Sequence, residues 1–218
     1  MRYDLVIFDL DGTILDTLDD LGDAVNHVLA EAGFPARTQE EVRRFIGNGV
    51  VNLIRRSAPQ GISEDVERAL LEGFRARYAA HLNDRTRPYA GISELMSDLR
   101  GACVHVAVNS NKPDAAVKAL CRAHFGALVE IALGERADMP KKPDPEGARQ
   151  IMAALGAAPD RTLYVGDGDA DIRTAGNAGT ECAWVSWGFR RREELAGLTI
   201  LHAFDSPQAL RAFLLEDA

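Results

Sequence analysis

Tyr3-Asp-Leu-Val-Ile-Phe-Asp-Leu-Asp-Gly-Thr-Ile-Leu-Asp-Thr17 is the stretch whose reading decides the fold. Leu5-Val6-Ile7-Phe8 is a continuous apolar run rich in β-branched and aromatic residues, and Gly12 follows it closely. A run of that kind reads as a fully buried strand of a parallel sheet. Asp9 and Asp11 stand at its C-terminal end, two residues apart, so an extended backbone puts both carboxylates on one side. Two anions held that close repel unless a cation sits between them. Ligands of open α/β sheets bind at the carboxyl ends of strands, where this pair lies. An Asp-x-Asp taken alone is also compatible with a polar turn, so the rest of the chain has to decide.

Outward from this stretch the pattern becomes helical. Leu18, Leu21, Val25, Val28 and Leu29 recur at spacings of three and four, an amphipathic helix ended by Gly33 and Pro35. Thr38 and Glu41 have the spacing of a capping box and open a second helix. Gly47-Asn48-Gly49 interrupts it, Val50 to Ile54 continue, and Ser63 caps a longer helix with Val66, Leu70, Leu71, Phe74 and Tyr78 on one face. From Thr86 onward strands alternate with helices. Strands are expected at Val104–Val108, near Leu128–Leu133, at Thr162–Val165 and at Ala183–Ser186. Helices are expected over Ile92–Leu99, Ala115–Ala123, Glu146–Leu155, Ala170–Ala178 and Pro207–Leu215. This alternation predicts an α/β fold, a Rossmann-like parallel sheet core with helices on both faces. Residues 1–16 and 85–218 would form that discontinuous core and 17–84 an inserted all-helical domain, hinged at Asp16–Leu18 and Asp84–Pro88.

Composition bounds the partners. The 218 residues are 46% hydrophobic, enough for a real core, and carry a formal net charge of −8. That balance argues against nucleic acid or a membrane surface as a partner, while leaving a small anionic substrate open. Three cysteines, Cys103, Cys121 and Cys182, lack metal-ligand spacing and suit a reduced compartment. The chain starts directly with a strand, shows no signal-peptide pattern, and has no run near the roughly 20 apolar residues of a membrane span. A cytoplasmic protein is expected, as a monomer or homodimer.

Three further polar clusters fall at or just beyond strand ends. Asn109-Ser110-Asn111-Lys112 offers a hydroxyl and backbone N–H groups where a helix is expected to open, a natural phosphate cradle or an ordinary cap. Lys141-Lys142-Pro143-Asp144-Pro145 would hold a lysine in a stiff loop, aimed at an anion or solvated. Gly166-Asp167-Gly168-Asp169-Ala170-Asp171 begins like a calcium loop, but Ile172 and Ala178 occupy the positions that need Gly and Glu. Carboxylates at the ends of two buried strands instead suit one hard cation, and Mg²⁺ takes one or two carboxylates plus waters and phosphate oxygens. Gly47-x-Gly49 lacks the third glycine of a dinucleotide fingerprint, and His105 reads as packed within its strand. Carboxylates, a hydroxyl and a lysine at one sheet edge suit phosphoryl transfer, in which a carboxylate nucleophile forms an acyl phosphate.

These four clusters, in this order, resemble the motifs of the haloacid dehalogenase-like hydrolases: Phe8-Asp-Leu-Asp-Gly-Thr13, Ser110, Lys142 and Gly166-Asp-Gly-Asp-Ala-Asp171. The resemblance implies that Asp9 is the nucleophile and Asp11 the general acid/base. It implies that Ser110, the backbone at Asn111, and Lys142 hold the phosphoryl group. Mg²⁺ would be bound by the Asp9 side chain, the Asp11 backbone carbonyl and Asp167, with Asp171 supporting, and the helical insertion would be a cap. Gly47-Asn-Gly49, Pro88-Tyr-Ala-Gly91, Ser110-Asn-Lys112, Lys142-Pro-Asp-Pro145 and Ser186-Trp-Gly188 look most like phosphoglycolate phosphatases. Relatives acting on pyrophosphate, sugar phosphates or nucleotides, and a β-phosphoglucomutase-like isomerase, share much of this pattern and stay open as alternatives. So does a non-catalytic regulator on the same fold, which would be expected to have lost one or more of Asp9, Asp11, Lys142 or Asp167, all present here. Gly168 stands where relatives often carry a hydroxyl, and Asp169 adds a charge of no evident role. Arg43, Arg44, Arg55 and Arg56 flank Gly47–Gly49 and are candidates to meet a substrate carboxylate, with solvated helix surface as the alternative for each.

Overall fold

Leu5–Phe8 forms strand β1, with all four side chains out of solvent. A computed structural model of the chain describes residues 2–216. After β1 comes a two-residue strand β2 (Leu15–Asp16), then four helices: α1 (Leu18–Glu31), α2 (Gln39–Phe45), α3 (Val50–Ser57) and α4 (Glu64–His81). The chain returns through strand β3 (Arg87–Pro88), which pairs antiparallel with β2. The capping box at Thr38 is formed: its hydroxyl accepts from Glu41 N at 3.2 Å, and Glu41 Oε2 accepts from Thr38 N at 2.8 Å. Such a cap contributes about 1 kcal/mol. Leu21, Val25, Val28, Leu53, Ile54, Leu70 and Phe74 bury one another, so the four helices have a hydrophobic core of their own.

The two expected hinge segments are tied to each other. Besides the β2–β3 ladder, the buried Asp20 carboxylate accepts from Arg85 N at 2.9 Å, Thr86 N at 2.9 Å and Thr86 Oγ1 at 2.8 Å. Entry and exit of the helical unit are therefore clasped together. The ladder left no trace in the sequence, because two residues are too few for an alternation pattern.

The remainder runs α5 (Ile92–Gly101), β4 (His105–Pro113), α6 (Asp114–His124), β5 (Ile131–Glu135), α7 (Glu146–Leu155), β6 (Thr162–Gly166), α8 (Asp169–Ala178), β7 (Glu181–Val185), β8 (His202–Phe204) and α9 (Pro207–Leu215). The sheet order is β5-β4-β1-β6-β7-β8, all parallel, with β1 central between β4 and β6. Val6 and Phe8 face a core with α5, α6 and α9; Leu5 and Ile7 face another with α7 and α8. Helices thus cover both faces, as the alternation predicts.

Two local expectations need correction, and one strand was not expected. The segment near Leu128 begins as a short 3₁₀ turn (Gly126–Leu128), and strand β5 starts only at Ile131. The three-residue edge strand β8 has no apolar run to announce it. His105 is not packed: it opens β4 with its Nδ1 2.9 Å from Glu130 Oε1, at the partly exposed strand entrance.

Candidate active site

The β1 ladder with β6 is extended by one rung, Asp9 N donating to Val165 O at 2.8 Å, and this delivers the Asp9 side chain just past the sheet. The neighbouring strand β6 ends at Gly166, so Asp167 emerges beside it. Asp171 reaches the same place from the first turn of α8, where its Oδ2 accepts from Gly168 N at 3.0 Å. Carboxylate oxygens of Asp9, Asp167 and Asp171 lie within 4.8 Å of one another, all buried. Gly12 makes room for them: its φ is +79°, and a Cβ there would come 2.6 Å from Asp167 Oδ2. Asp167 is also fixed from the far side, its backbone oxygen accepting from Trp184 Nε1 at 2.8 Å and its Oδ2 from Phe189 N at 2.5 Å.

Lys142 is the one ammonium inside this group. Its Nζ lies 2.8 Å from Asp9 Oδ1 and 2.7 Å from Asp171 Oδ1. Burial opposes its charge, but Asp171 and Asp9 outweigh that and hold it protonated well above the ordinary lysine range. The carboxylates respond in the opposite sense. Burial and then the Asp171 charge push Asp9 up to about 7, against the pull of Lys142; burial, Asp171 and Asp9 push Asp167 up to about 8. Three buried carboxylates against one ammonium leave an excess of negative charge that a divalent cation would neutralise, and all-oxygen donors suit a hard ion such as Mg²⁺.

Asp11 points elsewhere. Lys112 Nζ is 2.8 Å from its Oδ1 and 3.1 Å from its Oδ2, and Thr17 Oγ1 donates to Oδ1 at 2.7 Å. The carboxylates placed so that they could hold a cation are thus Asp9, Asp167 and Asp171, while the Asp11 side chain belongs to a second ion pair.

The cradle is built differently from the expectation. Strand β4 runs on to Pro113 and helix α6 opens only at Asp114, so Ser110 and Asn111 sit on extended backbone, not at a helix N-terminus. Proline disfavours helical backbone in the residue before it, which keeps Lys112 in the strand. Ser110 is buried at the cavity wall. The Asn111 side chain clamps the lysine loop: Lys142 N donates to Asn111 Oδ1 at 2.8 Å, and Asn111 Nδ2 donates to Lys142 O at 3.1 Å.

Between this floor and the helical unit lies a small cavity, about 50 Å³ to the centres of water-sized molecules. Asp9, Asp11, Ser110, Asn111, Asp167 and Asp171 all line it; Lys142 does not, and lies behind Asp9, to which it is paired. Asp169, the first residue of α8, faces it too. From the helical unit come Leu21, Ile46, Gly47, Gly49, Leu53 and Tyr78. The four candidate arginines are not there. Arg43 pairs with Glu40 and Glu194, Arg44 with Glu40 and Arg55 with Glu67, while Arg56 reaches Arg44 O. The cavity's guanidinium is instead Arg190, buried, with NH1 donating to Arg43 O at 3.1 Å and NH2 to Ile46 O. Those carbonyls belong to the C-terminal end of α2, which favours a cation. Arg190 sits in the run Arg190-Arg191-Arg192, which by pattern reads as exposed surface, so nothing in the sequence distinguished it. Lys112 and Tyr78 were visible as a loop lysine and a core-facing aromatic, without a role.

A family model described as haloacid dehalogenase-like hydrolase matches residues 6–185. The chain belongs to the haloacid dehalogenase-like hydrolases. Among curated relatives of this hydrolase, a phosphoglycolate phosphatase of Mesorhizobium japonicum is 33% identical over 216 residues, covering 94% of this chain and 93% of that one. A phosphoglycolate phosphatase of Pseudomonas putida is 35% identical over 190 residues, 85% of this chain and 70% of its own. A solved structure from Lactobacillus delbrueckii subsp. bulgaricus, provisionally named a phosphoglycolate phosphatase, superposes with a TM-score of 0.92 at 33% identity over 99% of both chains. The six-stranded parallel core of the hydrolase is that of its structural neighbours, and its family and relatives make it a phosphatase. Among the described residues no helix is long and apolar enough to cross a membrane.

Proposed function

We propose that this haloacid dehalogenase-like phosphatase is a Mg²⁺-dependent phosphomonoesterase acting through an aspartyl phosphate on a small anionic metabolite, 2-phosphoglycolate. The observation that carries the reading is the position of Asp9, held at the end of β1 between Lys142 and the carboxylates of Asp167 and Asp171. Mg²⁺ held by Asp9 and Asp167, with Asp171 supporting, would offset the repulsion between carboxylate and phosphoryl oxygens.

In the first step a carboxylate oxygen of Asp9 forms a bond to phosphorus as the ester P–O bond breaks. Ser110 and Lys142 hold the phosphoryl oxygens, and Asp11 gives its proton to the departing alkoxide. In the second step Asp11 takes a proton from water, whose oxygen attacks the acyl phosphate; inorganic phosphate leaves and the Asp9 carboxylate is restored. The names of the relatives support this substrate, and the small cavity between sheet and helical unit suits a short ester.

The test is a panel of phosphorylated metabolites compared by kcat/KM, together with acid quenching of a labelled substrate. Label on the wild-type protein and none on Asp9→Asn, with turnover abolished, is the expected outcome. Appreciable hydrolysis by Asp9→Asn would remove Asp9 as nucleophile, and a better ester elsewhere in the panel would replace the substrate.

A further inference from the structure

Tyr78 carries a hydroxyl that the reaction above does not use. The residue is 4% exposed, and its O–H finds no acceptor among the described residues, the neighbouring Lys112 ammonium being a donor only. Leaving such a buried group unpaired costs about 1–3 kcal/mol, so an unpartnered phenol in a binding cavity points to a ligand that completes it. Its ring is fixed by stacking on Phe74, centroids 5.5 Å apart, in the core of the helical unit. Tyr78 lines the cavity from the helical side, directly across from Lys112 of the sheet, whose Nζ lies 4.6 Å from its ring centre. Burial pushes the phenol up to about 12, so it remains a neutral O–H donor at working pH.

Of the two cations lining the cavity, Arg190 has no carboxylate partner among the described residues, but it is already committed to Arg43 O and Ile46 O. Lys112 is held by Asp11. The Tyr78 O–H therefore stands out as a donor without an acceptor, beside the Lys112–Asp11 pair. It is supplied by the helical unit, whereas the groups proposed for the phosphoryl end come from the sheet.

We infer that the Tyr78 hydroxyl, backed by the Lys112 charge, binds a second anionic group of the substrate and so selects short esters with an acidic leaving group. The inference rests on the phosphatase reading and adds to it the residue that reads the non-reacting end. A site built to hydrogen-bond one substrate group discriminates strongly against an analogue lacking it.

The test compares wild type and Tyr78→Phe on 2-phosphoglycolate and on ethyl phosphate, which is similar in size but has no second anion. The ratio of the two kcat/KM values is expected to fall about tenfold in Tyr78→Phe, chiefly through a higher KM for 2-phosphoglycolate. An unchanged ratio overturns the inference. If wild type shows no preference for 2-phosphoglycolate, the substrate reading fails, and pyrophosphate against ethyl phosphate then decides Tyr78 by the same criterion. A crystal of the wild-type enzyme with inorganic phosphate and glycolate gives a reading free of any variant. The glycolate carboxylate within hydrogen-bond distance of Tyr78 Oη supports the inference; the same carboxylate on Arg190 overturns it.

Discussion

Lys112 and Asp11 form a buried ion pair, Nζ to Oδ1 2.8 Å and Nζ to Oδ2 3.1 Å, between the end of one strand and the loop after another. Burial works against the ammonium, but Asp11 and then Tyr78 raise its pKa above the ordinary lysine value, so Lys112 stays protonated. Removing one member strands the other. Lys112→Met is expected to cost about 3 kcal/mol of unfolding free energy, read from urea midpoints. The double variant Asp11→Asn/Lys112→Met should lose less than the sum of the two single variants; strict additivity would show that the pair is uncoupled.

The acid trio predicts how stability depends on pH and metal. Asp9 at about 7 and Asp167 at about 8 lie above their unfolded values. A raised carboxylate contributes stability fully below its unfolded pKa, and that contribution is lost as pH rises through the folded one. Paired carboxylates such as Glu181 and Glu194 are shifted downward and act below this window. In chelator, therefore, Tm should decline between about pH 5 and pH 8. Mg²⁺ at a hundredfold excess over its Kd should restore about 2.7 kcal/mol at pH 8, where the trio is ionised. A Tm rising over that range in chelator, or no response to Mg²⁺, would contradict the charge balance described.

Arg190 joins the sheet to the helical unit by donating to two carbonyls of α2. Arg190→Ala leaves those carbonyls without a cation, a loss of about 1.5–3 kcal/mol for hydrogen bonds to a charged group. Faster cleavage of the helical unit by dilute protease and a lower kcat/KM are expected. Arg190→Lys should rescue poorly, since a single ammonium cannot reproduce the planar fork. Full activity in Arg190→Ala would show that this contact does not hold the cavity closed.

Arg44 and Arg55 make surface ion pairs away from the cavity. Arg44→Ala and Arg55→Ala should each leave kcat/KM within about twofold of wild type and stability within about 1 kcal/mol. A large rise in KM in either would return it to the substrate site.

The sheet was legible because a buried parallel strand has to be apolar throughout, so Leu5–Phe8 and Thr162–Val165 stood out, and the polar residues just past them marked the site. Glu146–Leu155 and Pro207–Leu215 were readable to the residue because proline stands at the start of each helix. Ser110 was placed on the wrong backbone, although Pro113 carried the information: the strand had to persist up to it. Residues facing the cavity from the helical unit were hidden for another reason. Tyr78 occupies a core position of an amphipathic helix, where an aromatic residue is explained by packing alone, and only its unpartnered oxygen gives it further meaning. Arg190 becomes significant through α2, about 145 residues earlier in the chain, which no local pattern can register.

The clasp formed by β2, β3 and Asp20 has a consequence for how such an enzyme diversifies. Both crossings to the helical unit leave the sheet at one point, and paired strands sit about 5 Å apart. To the sheet, everything from Leu18 to His81 is one closed excursion starting and finishing at the same doorstep. Helices can be lengthened, swapped or re-faced there without altering the register of β1, β4 and β6 or the carboxylates at their ends. The sheet with its carboxylates and the helices that face them are thus separately variable parts of a single chain.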